Sequence, residues 1–460
     1  MNMTMLINPE KKVDAILKNT TIAGLFCLVA TVPFSVSFAE IGLGIALFAW
    51  LGRVFFTGQV KIKRSVITIP LLVFIGAAVI SSLCAEYPFE SLYENRFLLL
   101  SVIVFIVPST LDKKLFSQLV SVWAIAVIIA GAFGVIQMFT GIDIVHYRRL
   151  AAISVSESLQ LFQAHGTFDL HLTYGGSLAL ASLFLGGALL SGFSRKQRIL
   201  LLCAGIIGSC GVIASFSRSA WLGFLAGFTA LGFLTDKRFR FIIIVILIIV
   251  LLLFALIVPL RDHINTVFQE ARSGERQYIW RGAMGMIRDN PICGIGSAHH
   301  IKNYWNYFTQ ARRSDPTTAF FKIVAGLNGD TEYVKYIRIT TDLNNDYLRL
   351  FHHPHNDFLN SWLIGGILGF ISYVWLLTAF IWKGIQLFSI SVKSKNTAIR
   401  KQSFFLISGV SAIIAHCIMS LGQCYFIDDE NALAIWLVIG MTVYCMQSCA
   451  PYTEKAIKSV

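Results

Sequence analysis

Charge is scarce in this chain: Asp, Glu, Lys and Arg make up 14% of its 460 residues, while hydrophobic residues make up 56%. That balance excludes a water-soluble globule, in which about a quarter of the residues are charged. Also missing are an Asp-x-Asp pair, a Gly-rich loop ending in Lys-Ser/Thr and a His-Glu-x-x-His run. Their absence argues against a metal-assisted nucleotide-sugar site, a nucleotide-hydrolysing site and a zinc peptidase. The nine cysteines include no Cys-x-x-Cys pair, and most fall inside apolar runs, where they read as small core residues. Cys84, Cys293 and Cys424 would face one side of a membrane, but the odd total makes a disulfide unattractive. No small-residue cleavage pattern follows the first apolar run, so that run is expected to stay as a helix.

What is present is a succession of apolar runs, each long enough to cross roughly 30 Å of hydrocarbon as a helix. They lie near 20–35, 36–55, 67–84, 96–110, 115–140, 172–193, 198–216, 219–234, 240–260, 356–382, 402–421 and 430–448. The expected fold is an all-α polytopic membrane protein with about twelve transmembrane helices. Residues 1–260 would carry the first nine, 261–354 a large loop with helices of its own, and 355–460 the last three. The net charge of +13 does not point to nucleic acid, because the cations follow membrane sidedness instead. With the N-terminus inside, Arg53, Lys61, Lys63 and Arg64 fall inside, as do Lys113, Lys114, Arg195, Lys196, Arg198, Lys393, Lys395, Arg400 and Lys401. The connections holding Glu86, Glu90 and Glu94 or Asp428-Asp429-Glu430 are acidic and fall outside.

Against this background a few polar residues stand out. Three imidazoles, His352, His353 and His355, precede an apolar run ending Gly365-Gly366-Ile367-Leu368-Gly369. Pro354 suits a first helical turn, which would place His355 and Asn356 in that turn at the water interface. Neutral imidazole there could take a proton from a sugar hydroxyl, or the cluster could simply be wetted. Zinc binding is disfavoured because Pro354 spoils helical ligand spacing and no acidic partner is adjacent.

The run from Ile199 to Leu234 contains one charge, Arg218. At about 1.5 Å per residue it would extend on the order of 54 Å as one helix, so it must fold back near Ser215-Phe216-Ser217-Arg218-Ser219. That leaves a guanidinium at the outer face, against the positive-inside bias, as an anchor or an anion ligand.

The loop from Arg261 to Pro354 holds twelve Lys and Arg residues. Within it, Glu275 to Ile287 has helical periodicity, and Asn290-Pro291 should end the helix. Arg276 falls on the same face as Trp280, Ala283 and Ile287, an apolar position that calls for an anionic partner, whereas Arg281 and Arg288 fall on the solvated face or contact lipid phosphate. Arg148, Arg149 and His165 lie in another outer connection and could touch substrate or headgroups. Arg96 reads first as an interfacial anchor pairing with a nearby carboxylate, and second as a substrate contact. His416, deep in the eleventh run, reads as hydrogen-bonded to a neighbouring helix.

His355-Asn356, nine further residues and then Gly366-x-x-Gly369 resemble the His-Asn/Ser/Gln-x9-Gly-x-x-Gly pattern of the bacterial O-antigen ligase family. Ser217-Arg218, Arg276 ahead of Trp280, and Pro291-x-x-Gly294-Ile295-Gly296 fit as well. The resemblance spans roughly Gly166 to Phe370; the first five helices match only in hydropathy. It implies transfer of polysaccharide from undecaprenyl pyrophosphate to a lipid A core hydroxyl, on the periplasmic face of the bacterial inner membrane. By the same resemblance His355 is the base and Arg218 and Arg276 bind pyrophosphate, with no cofactor. Asn356, His353, Arg96, Arg281 and Arg288 are further candidates for substrate contact. The motif is shared with O-antigen polymerases and protein-glycan ligases. A twelve-helix transporter is the reading of a different class, opposed by the crowding of polar groups at the outer face and by the lack of an internal repeat.

Overall fold

A computed structural model describes residues 9–154, 160–235, 240–241, 244–245, 271–297 and 353–458. The chain is an all-α polytopic membrane protein. Among the described residues nine helices are long and apolar enough to cross a membrane, and two shorter ones, Thr68–Cys84 and Arg218–Leu234, are apolar as well. The expected span 240–260 lies mostly outside the described residues, as does most of the loop 261–354.

In chain order the helices are α1 (Pro9–Thr31), α2 (Val36–Gly52), α3 (Thr68–Cys84), α4 (Pro88–Glu94), α5 (Ile103–Thr110), α6 (Lys113–Thr140), α7 (His171–Gly187), α8 (Arg195–Ala214) and α9 (Arg218–Leu234). After these come α10 (Ala271–Asp289), α11 (Asp357–Ser391), α12 (Thr397–Gln402), α13 (Phe404–Met419) and α14 (Asp429–Lys458). The expected span 96–110 begins earlier, at Pro88. Proline at a first helical turn loses no hydrogen bond, and Glu90 suits the positive end of the helix. From there α4 runs through a 3-10 stretch, Asn95–Val102, into α5.

Small residues let the helices approach closely. A Cβ on Gly24 would lie 2.6 Å from the Gly42 carbonyl oxygen, so α1 and α2 meet backbone to backbone. Dispersion and close packing of this kind hold helices together where lipid tails are as apolar as leucine. The core runs along α14, where Leu433 to Ile439 are fully or almost fully buried, and along α7. Phe48, Ile129 and Ile206 are exposed on the outer helices, as a lipid-facing surface requires.

The two ends of the bundle differ. At one end are the basic helix starts, where Asp112 caps α6 beside Lys113 and Lys114, and Ser194 and Gln197 form a capping box beside Arg195. Gln197 also donates to Ser117 Oγ at 2.7 Å, and buried Arg53 pairs with Asp14 at 3.0 Å. At the opposite end the first turns of α7, α9, α11 and α14 converge. Ser219 shares a hydrogen bond with the Tyr425 hydroxyl (2.8 Å), Thr173 donates to Asp428 (2.7 Å), and the Asp357 N–H donates to the Ser420 carbonyl (3.0 Å). Two small hairpins cover this end: β1 (Ile142–Asp143) with β2 (Arg148–Arg149), and β3 (Ala152–Ser154) with β4 (Gln160–Phe162), both antiparallel.

Candidate active site

The reversal before Arg218 is made by serines. Ser215 Oγ donates to the Val212 carbonyl (2.7 Å) and accepts from the Ser217 N–H (3.2 Å), while Ser217 Oγ caps α9 by accepting from Ala220 N (3.4 Å). Phe216 between them has φ 49°, a left-handed conformation that costs a non-glycine residue roughly 1–3 kcal/mol. The fold-back expected from the length of the apolar run is therefore present, with Arg218 as the exposed first residue of α9.

The neighbourhood of Arg218 is cationic. His171, at the start of α7, lies close enough to feel its charge, and the His171 and His165 rings are 5.6 Å apart. Arg148 reaches His165 Nδ1 (3.3 Å) and donates to the Asp169 carbonyl (2.9 Å). Burial holds His165 below the usual imidazole range, and Arg148 pushes in the same direction against the Asp169 carbonyl. Burial raises Asp143, yet hydrogen bonds from His146 and Arg148 outweigh it and hold this carboxyl below its usual range.

Around His355 the structure corrects the expected helix start. Pro354 does not open the helix, and neither His355 nor Asn356 lies in its first turn; α11 begins at Asp357 with Asn356 as its cap. The Asn356 side chain accepts from Phe358 N (2.9 Å) and Leu359 N (3.1 Å), and donates to the Leu421 carbonyl (3.2 Å). An asparagine that can satisfy two orphan N–H groups outcompetes the proline preference. Pro354 serves the chain upstream, its carbonyl accepting from Trp280 Nε1 at 3.0 Å.

Between proline and cap, His355 must turn the chain alone, and it does so at φ 48°. Its Nδ1 meets Gln423 Oε1 at 2.5 Å, its N–H donates to His353 Nδ1 (3.3 Å), and the two histidine rings stand edge to face with centroids 4.4 Å apart.

Beneath His355 lies a buried carboxylate. Asp357, 1% exposed, accepts from Ser420 Oγ (2.7 Å) and from the N–H groups of Tyr425 and Phe426 (3.1 Å each). His416 Nε2 is 4.0 Å away and hydrogen-bonds the Tyr373 hydroxyl of α11 (2.9 Å), as expected for a histidine tied to a neighbouring helix. The segment 420–428 is thus bonded to the start of α11 and, through Tyr425, to Ser219 beside Arg218.

The third component is the periplasm-type loop's helix α10, longer than the periodicity from Glu275 implied but ending before Asn290-Pro291 as expected. It buries Ile279, Ala283, Met286 and Ile287 against Leu363 of α11. Arg281 and Arg288 are exposed, on the opposite face. Arg276 is in α10, one turn before this buried stripe; its side chain lies outside the described residues, as does His352.

The glycine motifs downstream join in space. Gly366, at φ 62° and ψ −164°, interrupts α11. Into the gap fits the turn of Pro291 to Gly296: Ile367 N–H donates to the Pro291 carbonyl (3.0 Å), Trp362 Nε1 to the same oxygen (2.9 Å), and Ile295 N–H to the Leu363 carbonyl (2.8 Å). The far side of the turn is held by α3 and α4, with Gly296 N–H on Ser81 Oγ (3.2 Å) and Ser297 N–H on Ser91 Oγ (2.8 Å). Gly294-Ile295-Gly296 therefore makes the tight turn its glycines suggested, and it spends its amides on protein oxygens.

Arg96 pairs with Asp429 at 3.3 Å and lies over the Tyr93 ring at 4.8 Å, the arrangement expected of an anchor. All nine cysteines are free. Two residues escaped the sequence reading, Asp357 and Gln423. Asp357 had a signal, an acidic residue at the mouth of an apolar run; Gln423 had none, because its role is a contact across 68 positions of sequence.

Residues 203–321 match the family described as O-antigen ligase. The matched stretch contains Arg218 and Arg276 and ends before His355. No curated protein matches the chain.

Proposed function

From the support that residues 203–321 give to the O-antigen ligase family, we propose that this membrane enzyme is an O-antigen ligase. It would move a polysaccharide from undecaprenyl pyrophosphate to a sugar hydroxyl of lipid A core, on the periplasmic side of the bacterial inner membrane. The observation that carries the reading is the junction of three segments at one end of the bundle: Tyr425 bonds Ser219 beside Arg218, and the same short loop bonds Asp357 and His355.

Arg218 and Arg276 would grip the pyrophosphate, since a planar guanidinium stays charged and binds phosphate through two parallel hydrogen bonds. Four helix N-termini at the same end add a positive potential. The acceptor oxygen attacks the anomeric carbon of the donor sugar and forms the new C–O bond as the bond to pyrophosphate breaks. The bonding pair leaves with the pyrophosphate oxygen, where the arginines stabilise it, and the hydroxyl proton passes to His355. Asn356 shapes the backbone that presents His355, while Arg96, His353, Arg281 and Arg288 are candidate contacts to the two lipid-linked substrates. Activity in a chelator such as EDTA is expected, and a loss restored by a divalent ion would sink the arginine-based scheme.

Ligase and polymerase of the same superfamily would share these groups, so the test must follow the acceptor. His355→Ala should leave full-length polymer on undecaprenyl pyrophosphate and none on lipid A core. Accumulation of single repeat units, some still passed to lipid A core, would identify the polymerase instead. Uptake of a solute by vesicles holding only this protein would mark a transporter.

A further inference from the structure

We propose that Gln423 is a positioning residue that fixes the proton of His355 on Nδ1 and so makes Nε2 the atom that accepts the hydroxyl proton; this rests on the reading of His355 as the base. The contact is Nδ1 to Oε1 at 2.5 Å. An amide oxygen can only accept, so the imidazole nitrogen facing it must carry the hydrogen, and neutral imidazole then has its lone pair on Nε2.

The contact is built rather than incidental. Gln423 is 6% exposed, and the residues around it are held from several sides. Ser420, Tyr425 and Phe426 bond Asp357, while Asn356 bonds Leu421 through its side chain and the Cys424 sulfur through its N–H (3.2 Å). The other partner is equally constrained, with His355 in a left-handed conformation between Pro354, bonded to Trp280, and the Asn356 cap. Both partners of the contact therefore sit on backbone fixed by other bonds, and the amide–imidazole bond selects one tautomer of a ring that could adopt two.

A neutral amide also does what a carboxylate would not. When the hydroxyl proton arrives at Nε2 and Nδ1–H stays on Gln423, the new positive charge lies beside a dipole. A carboxylate there would favour imidazolium before any substrate arrived and would withdraw the base at neutral pH. The titratable groups around the ring are His353 at ring contact, Asp357 and Cys424 below the cap, and Asp428 in the same loop. On the helix bonded to Pro354, Arg281 and Arg288 are exposed and the Arg276 side chain lies outside the described residues.

The experiment measures transfer from a lipid-linked donor against pH for purified wild type, Gln423→Glu, Gln423→Leu and His355→Ala. Gln423→Glu should move the acidic limb of kcat/KM upward by about one pH unit or more, costing roughly tenfold at neutral pH and recovering in alkali. Gln423→Leu should lose roughly 10- to 100-fold at every pH with the KM for donor little changed. In the wild type, nitrogen-15 shifts of labelled His355 should report Nδ1–H, and Nε2–H would overturn the proposal even if both variants misfold. A folded Gln423→Glu with an unmoved limb would also overturn it, provided His355→Ala is inactive. An active His355→Ala would instead remove the base reading itself.

Discussion

At the scale of single residues, Asp357 and the arginines do opposite work with charge. Asp357 is buried and its carboxylate collects three hydrogen bonds that fasten the 420–428 segment to α11. Asn at this position would turn an amide N–H₂ toward at least one donor. The expected cost is about 1.5–3 kcal/mol for a bond to a charged group, read as a lower unfolding temperature in detergent. Unchanged stability with lost transfer would move Asp357 from scaffold to chemistry. Arg218 is exposed, so its worth lies in a ligand: Arg218→Lys keeps the charge but loses the fork, and donor use should fall well below wild type at matched protein level. Transfer equal to wild type would reduce Arg218 to an anchor. His165 resists protonation because it is buried. Below its usual pKa near 6.5 the unfolded chain binds a proton that the folded chain refuses, so this imidazole lowers stability as pH falls through that value. His165→Gln should flatten the drop in unfolding temperature between about pH 7 and pH 5.

At the scale of elements, the break in α11 and the turn after α10 form one joint. A Cβ on Gly366 would stand 1.8 Å from the Ile292 carbonyl oxygen, and one on Gly294, at φ 72°, would stand 2.5 Å from the Leu363 carbonyl oxygen. Neither backbone can move without losing the bonds of Ile295 and Ile367. Gly366→Ala and Gly294→Ala should each destabilise by more than the roughly 1 kcal/mol that a left-handed alanine costs. The double variant should cost less than the sum of the two, because the joint is already open after the first substitution. Additive losses in a thermal unfolding series would show that the turn and the break are separate features. Since α10 carries Arg276 and α11 starts just after His355, an open joint should also lower transfer.

At the scale of the whole molecule, the lysine-rich end and the Arg218 end face opposite aqueous phases. In a protein with its native cysteines replaced by serine, Arg288→Cys should react with a membrane-impermeant thiol reagent from the periplasmic side. Lys395→Cys should react only after the inner membrane is permeabilised. The reverse pattern would invert the arrangement and place the candidate site in the cytoplasm.

The apolar runs, their lengths and the distribution of lysines determined the membrane class, most helix positions and the reversal at Arg218, because hydrocarbon thickness and backbone hydrogen bonding leave helices few alternatives. The periodicity of α10 was legible for the same reason: Ala283 and Ile287 repeat at helical spacing and are buried. The start of α11 was misplaced because Pro354 and Asn356 both carry helix-start signals, and only the orphan N–H groups of Phe358 and Leu359 decide between them. Gly366 was visible as a motif but not as a break, since its left-handed backbone is stable only with the Pro291 turn in the gap. The contacts of Gln423 with His355, and of Tyr425 with Ser219, belong wholly to the tertiary structure. They join residues far apart in the chain, and no local propensity records which helix end will lie beside which.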